Sequence, residues 1–152
     1  MCIVLCDLDH FKQINDKYGH ATGDFVLKQT VTACRLHLRE SDIFGRFGGE
    51  EFGVLLPGCN LADARARCEQ LRIAIAEVAK HPGSMVANVS ASFGLASSSP
   101  SGYELRQLLA HADAALYRAK RAGRNLVVAH DAKDADDSLP EITPDQPVRG
   151  VV

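Results

Sequence analysis

Two carboxylates separated by one residue, Asp7 and Asp9, follow directly on the apolar run Cys2-Ile3-Val4-Leu5-Cys6. In open α/β sheets, ligands gather beyond the carboxyl ends of strands. Two acids there could hold a hard cation such as Mg²⁺, which takes one or two carboxylates and completes its shell with phosphate oxygens and water. The same pair would also serve as a solvated loop in which Asp9 caps the next helix. An EF-hand loop is excluded, because its later ligands and central glycine are missing. A second acidic pair, Glu50-Glu51, comes after Gly48-Gly49. Residues without side chains let a triphosphate approach the backbone closely, although a charged hairpin turn has the same composition. If the first strand neighbours that hairpin, Asp7 and Glu50 converge at one end of the sheet. Facing carboxylates repel, and a divalent cation is the simplest means of keeping both ionised.

The elements that must position these acids are legible from periodicity. Residues 2–7 read as a strand buried on both faces. Helices are expected over 10–18, with Phe11 and Ile14 inward, and over 22–39, with Phe25, Val26, Thr30, Val31, Cys34 and Leu38 at helical spacing. Gly23-Asp24 falls at the expected start of the second, where a carboxylate suits both the cap and the helix dipole. Two short strands, 43–47 and 52–56, flank the Gly-Gly turn as a hairpin. A helix beginning at Asn60 or Asp63 runs to about Lys80, with Ala64, Cys68, Leu71, Ile75 and Val78 as its inner stripe. Residues 86–96 alternate as a strand, 97–102 form a loop, and 104–121 form a helix that Gly123 ends. A last strand covers 126–129. From Asp131 the chain is acidic, proline-bearing and without periodicity, the signature of a disordered tail. The order β-α-α-β-β-α-β-α-β implies an α/β (α+β) fold, one mixed sheet of about five strands flanked by helices.

With 152 residues and a net charge of −2, the chain has the size of one ordinary domain. That charge argues against holding nucleic acid by general electrostatics. No apolar run approaches the ~20 residues needed to cross a bilayer, so direct membrane insertion by this segment is not expected. Five cysteines, odd in number and without a Cys-x-x-Cys pair, read as small buried hydrophobes in a reducing compartment. The histidines include no helical pair at ligand spacing, which argues against a structural metal.

Five segments in order carry a resemblance. Asp7-Leu8-Asp9-His10-Phe11-Lys12-Gln13-Ile14-Asn15-Asp16, continuing to Tyr18-Gly19-His20 and Gly23-Asp24, resembles the Asp-x-Asp-x-Phe-Lys-x-Ile-Asn-Asp signature of the GGDEF family of diguanylate cyclases. Gly48-Gly49-Glu50-Glu51-Phe52 is similar to the namesake motif in its Glu variant. Ser92-Phe93-Gly94-Leu95-Ala96 resembles the family's Ser-x-Gly-x-Ala strand. The stretch from Ala112-Asp113 to Ala119-Lys120, and then Gly123-Arg124-Asn125, resembles its closing helix and turn. Arg39-Glu40-Ser41-Asp42 is similar to the family's Arg-x-x-Asp product-inhibition site, placed five residues before the Gly-Gly turn. The similarity covers residues 2 to about 130, so 1–130 is expected to be the catalytic domain and 131–152 the tail.

The resemblance implies a nucleotidyl cyclase or polymerase-palm type of fold. It also implies condensation of two GTP into cyclic di-GMP with release of pyrophosphate. By the resemblance, Asp7, the Leu8 carbonyl and Glu50 bind Mg²⁺ (or Mn²⁺), and Glu50 or Glu51 assists deprotonation of the attacking hydroxyl. Asn15 and Asp24 read guanine, a role a carboxylate suits because it can accept from both N1–H and N2–H₂. Lys12, Lys120 and Arg124 contact phosphates, although the last two sit where a helix C-terminus favours cations anyway. Arg39 and Asp42 bind the product as an inhibitory site, arginine being able to fork onto guanine O6 and N7. One domain presents one GTP, so the resemblance implies a homodimer, with an upstream sensory or regulatory domain and a bacterial cytoplasmic setting. Family members usually carry a helix and a Leu-Thr-Gly-Leu-x-Asn-Arg-Arg segment ahead of the first strand, and this sequence reads as starting after that segment. Two alternatives stay open: a module that senses cyclic di-GMP or GTP without turnover, and a palm or adenylyl-cyclase relative using another nucleotide.

Overall fold

A computed structural model describes residues 1–98 and 104–130. The expected tail from Asp131 and residues 99–102 of the expected loop lie outside the described residues. At the centre of the sheet is β1 (Cys2–Leu8), antiparallel on one side to β3 (Glu51–Leu56) and on the other to β4 (Ala91–Ser97). The outer strands are β2 (Ile43–Gly48), antiparallel to β3, and β5 (Val127–Ala129), parallel to β4. The order β2-β3-β1-β4-β5 makes one mixed five-stranded sheet, as the element order implied.

Alternation along β1 divides the core. Cys2, Val4, Cys6 and Leu8 belong to the large core beneath α1 (Phe11–Tyr18), α2 (His20–Arg35) and α3 (Leu61–Glu77). Ile3 packs instead with Leu108 and Ala112 of α4 (Leu105–Arg121), with Leu5 partly buried beside them. Successive strand residues point to opposite faces, so a strand covered on both sides must be apolar at nearly every position. Asp7 ends the α4 side of this alternation, and its charge therefore sits next to a helix.

Several boundaries differ from the sequence expectation. The strand expected over 86–96 begins only at Ala91. Val86 and Val89 are buried all the same, so their apolar spacing reports burial in an irregular segment rather than a ladder. The helix expected over 22–39 spans 20–35, because Gly19, at φ 83°, starts it two residues earlier. Asp24 therefore lies one turn inside α2 and is not its cap. Asn60, rather than Asp63, caps α3, accepting the Asp63 N–H at 2.8 Å. A 3₁₀ turn, Val78–Lys80, completes the helix expected to reach Lys80. Four of the five cysteines are buried thiols and Cys59 is half-buried; burial pushes Cys34 up to about 12.

Candidate active site

The end of β1 brings acids from two strands together. Asp7 pairs in register with Glu51 of β3, and the neighbouring Leu8 donates its N–H to the Glu50 carbonyl at 3.2 Å. Lys120, in the last turn of α4, places its ammonium 2.8 Å from Asp7 Oδ2. Burial pushes the Asp7 carboxyl above its ordinary range; the Lys120 hydrogen bond and charge oppose that shift, while Glu50 and Glu51 add to it. Burial and like charge prevail over the lysine. A carboxylate in this position gains from further positive charge.

The hairpin is built to bring its acids to this edge. Gly49 and Glu50 form a two-residue turn between Gly48 and Glu51, which pair across it. Gly49 has φ 49°, in the left-handed region where glycine carries no Cβ penalty. A bulge between Arg46 and Gly48 sharpens the bend, and Arg46 Nε donates to the Gly49 carbonyl at 2.8 Å. Glu50 is half-buried and Glu51 exposed.

Among the described residues, no three His, Cys, Asp or Glu side chains gather as a ready metal cage. Asp7, the Leu8 backbone and Glu50 offer two carboxylates and a carbonyl, a partial shell. A hard divalent cation that takes its remaining ligands from phosphate and water fits such a set. The ammonium already resting on Asp7 Oδ2 marks that oxygen as a cation position.

Asn15 of α1 lies against Gly23 of α2, the residue before Asp24. Gly23 is buried there, and a Cβ on it would collide with Asn15 Oδ1 and crowd the Phe11 ring. The glycine therefore lets α2 approach α1 closely at half-buried Asn15, and Asp24, the next residue on α2, is exposed. Lys12 is exposed on α1. The cleft lined by Asp9, His10, Gln13, Lys17, Asn88 and Ser90 is separate, since neither Asp7, Glu50 nor Asp24 lines it.

Asp9 does not cap α1 and does not share the position of Asp7. The cap position belongs to His10, in a left-handed conformation and without a side-chain cap bond. The buried Asp9 carboxylate instead accepts from Ser92 Oγ at 2.7 Å, Ser90 Oγ at 2.8 Å and the Asn125 N–H at 3.0 Å. Arg124, just before Asn125, is exposed.

The structure brings Arg39 and Asp42 together differently from a side-chain pair. Asp42 Oδ2 accepts the Arg39 backbone N–H at 2.8 Å and lies 3.7 Å from the Arg67 guanidinium. Arg67 also donates to the His37 carbonyl at 3.0 Å. The Arg39 side chain is exposed and makes no ion pair among the described residues. Sequence reasoning did not assign Arg67, Arg72, Ser90 or the role of Asp9. Ser92 and Asn125 stood inside recognised motifs, but nothing in their spacing said that one carboxylate joins them.

The family of diguanylate cyclase GGDEF domains matches residues 1–126. The chain belongs to the GGDEF family. It is 44% identical over 126 residues to diguanylate cyclase DgcP of Pseudomonas aeruginosa, covering 82% of this chain and 18% of that protein. It thus spans about a fifth of that GGDEF relative's length. Its structure is similar to the active GGEEF domain of a diguanylate cyclase from Vibrio cholerae, with a TM-score of 0.77 and 32% identity, over 86% of this chain and 82% of that one. It is similar also to the GGDEF domain of DgcB from Caulobacter crescentus in complex with c-di-GMP, with a TM-score of 0.76 and 32% identity, over 85% and 77% of the two chains. Among the described residues no helix is long and apolar enough to cross a membrane.

Proposed function

We propose that this GGDEF domain is a diguanylate cyclase, which condenses two GTP into cyclic di-GMP and releases two pyrophosphates. The observation that carries the reading is the buried Asp7 carboxylate at the sheet edge, with Glu51 in register, Glu50 on the adjoining turn and Lys120 on its oxygen. Asp7, the Leu8 carbonyl and Glu50 would hold Mg²⁺ or Mn²⁺. When bound, the cation neutralises the triphosphate and lowers the pKa of the attacking 3′-hydroxyl.

The protein's own residues do the rest. Asn15 and Asp24 hold the guanine edge, and Asp24 accepts N–H groups that adenine does not present. Lys12, Lys120 and Arg124 bind phosphate oxygens, which orients the α-phosphorus for in-line attack. The 3′-oxygen of one GTP forms a bond to the α-phosphorus of the other, and the bridging bond to pyrophosphate breaks. Glu50 or Glu51 receives the hydroxyl proton. Each domain presents one nucleotide, so two copies face one another during catalysis. In its parent protein the domain works in the bacterial cytoplasm, paired by an upstream sensory or regulatory domain.

Arg39 and Asp42 form the product-inhibition site in this reading. The exposed Arg39 guanidinium supports it, being unpaired among the described residues and free to fork onto a guanine edge. Asp42 contributes with its remaining acceptor capacity, because Oδ2 is already engaged.

Incubation with Mg²⁺ and either GTP or ATP, followed by chromatography and mass analysis, tests the proposal. Cyclic di-GMP from GTP and no product from ATP is the expected result. Tight binding of cyclic di-GMP without turnover in a paired chain would establish the sensor reading instead.

A further inference from the structure

Asp9 is the buried acid for which the proposed chemistry has no use. Both of its oxygens are engaged: Ser90 Oγ, Ser92 Oγ and the Asn125 N–H all donate to the one carboxylate, at 2.7–3.0 Å. Its own N–H donates to the Ser90 carbonyl at 2.8 Å, so backbone and side chain anchor it together. A carboxylate engaged on both oxygens in this way is a poor ligand for a mobile cation, because any metal must first displace those donors.

The third donor belongs to an unusual turn. After α4 the chain passes through Gly123 at φ 118°, Arg124 at φ 63° and Asn125 at φ 49°. Two consecutive residues with side chains in the left-handed region are held against an intrinsic cost, and such conformations persist where surrounding contacts over-determine them. Three contacts do so here. The Arg124 N–H donates to the Ala119 carbonyl at 3.0 Å, Arg72 of α3 donates to Asn125 Oδ1 at 2.9 Å, and Asp9 takes the Asn125 N–H. The turn is thereby tied to α4, to α3 and to the end of β1. Lys120, which reaches Asp7, lies one turn before it.

We propose that Asp9 is a positioning residue, which clamps the left-handed Arg124–Asn125 turn so that Arg124 is presented to the triphosphate beside Lys120. The inference rests on the proposed GTP-binding role of Arg124. It divides the labour of the two aspartates: Asp7 faces the ligand, and Asp9 fixes the backbone that carries a ligand-binding arginine. The negative charge is not itself required. In Asp9→Asn, the amide oxygen can accept from Asn125 and Ser90 while its NH₂ donates to the Ser92 hydroxyl. Asp9→Ala has no such substitute.

The test compares the whole chain with Asp9→Asn, Asp9→Ala, Arg124→Ala and the double variant Asp9→Ala/Arg124→Ala. Calorimetry in Mg²⁺ uses guanosine and a GTP analogue with a methylene bridge between the α- and β-phosphorus atoms, and amide exchange is followed at Asn125. Asp9→Ala should speed exchange at Asn125 and weaken the analogue about tenfold, the size of one charge-assisted hydrogen bond. Guanosine affinity should stay within about twofold, and the double variant should bind no more weakly than Arg124→Ala alone. Asp9→Asn should restore both exchange protection and affinity. Should Asp9→Ala not fold, Ser90→Ala, which loosens the same carboxylate, should shift exchange and analogue affinity in the same direction by less. Faster exchange with unchanged analogue affinity overturns the proposal, as does an equal loss for guanosine and analogue. If the unaltered chain binds neither ligand, the cyclase reading fails on its own. The clamp is then decided by exchange alone, with fast Asn125 exchange in Asp9→Ala and slow exchange in Asp9→Asn supporting it and equal exchange in the two overturning it.

Discussion

Asp7 and Asp9 stand two residues apart at the end of the same strand, yet their surroundings are opposite. Asp7 is buried near two other acids, with one lysine in contact, and its carboxyl is pushed above the ordinary range. Asp9 is more deeply buried, with three donors on its two oxygens. The first arrangement is electrostatically incomplete and is relieved by added positive charge; the second is complete and ties three segments together. Proteins tolerate an incomplete polar site where function needs one. A carboxylate that is satisfied by donors contributes to stability instead.

The largest effect is expected at the Gly-Gly turn. Glu50→Ala should lower cyclic di-GMP formation by at least about 100-fold, the usual scale for removing one group that stabilises developing charge. Turnover at the parent rate would remove Glu50 from the site. On the satisfied side, Asp9→Ala leaves two hydroxyls and one N–H without their acceptor, and about 3 kcal/mol of stability should go with it in denaturant unfolding. A loss below about 0.5 kcal/mol would show that these bonds hold nothing together.

The pH dependence of stability separates the two aspartates more finely. Because the folded-state pKa of Asp7 is raised, the folded protein binds more protons than the unfolded chain between the ordinary carboxylate value and the raised one. The contribution of Asp7 to stability therefore falls as pH rises through that window and levels off above it. In Asp7→Asn this negative slope should be absent, and the variant should be at least as stable as the parent at neutral pH in metal-free buffer. Thermal unfolding across the window checks both points, and an unchanged slope would contradict the assigned cause. The smallest expected effect on stability lies at the proposed product site. Arg39→Ala should change stability by less than about 0.5 kcal/mol while weakening cyclic di-GMP binding, and unchanged affinity in calorimetry would remove Arg39 from that site.

Much of this was legible in the sequence because periodicity and turn chemistry are local. The buried strand, the Gly-Gly hairpin and the inner stripe of α3 arise from residue types at fixed spacing. The convergence of Asp7 with the hairpin acids required only that β1 and β3 be neighbours. What escaped was non-local. Asp9 meets Ser90, Ser92 and Asn125 across more than eighty positions of sequence, so no spacing rule reaches it. Its proximity to α1 suggested a helix cap, and the tertiary donors prevailed. The segment 86–90 misled in the opposite way: Val89 extends the one-face alternation of Ala91 and Phe93 backwards, but Val86 and Val89 are buried without belonging to the strand. Arg67 on α3 likewise reaches Asp42 only through the packing of that helix against the chain after α2.

The division between the two aspartates is tested most directly by one paired assay, in which Asp7→Asn and Asp9→Asn are compared for cyclic di-GMP formation from GTP and Mg²⁺. Asp7→Asn should lose turnover by about 100-fold or more, since a ligand-facing charge is gone. Asp9→Asn should keep most of it, since an amide can replace each hydrogen bond. Equal losses in the two variants would contradict the account.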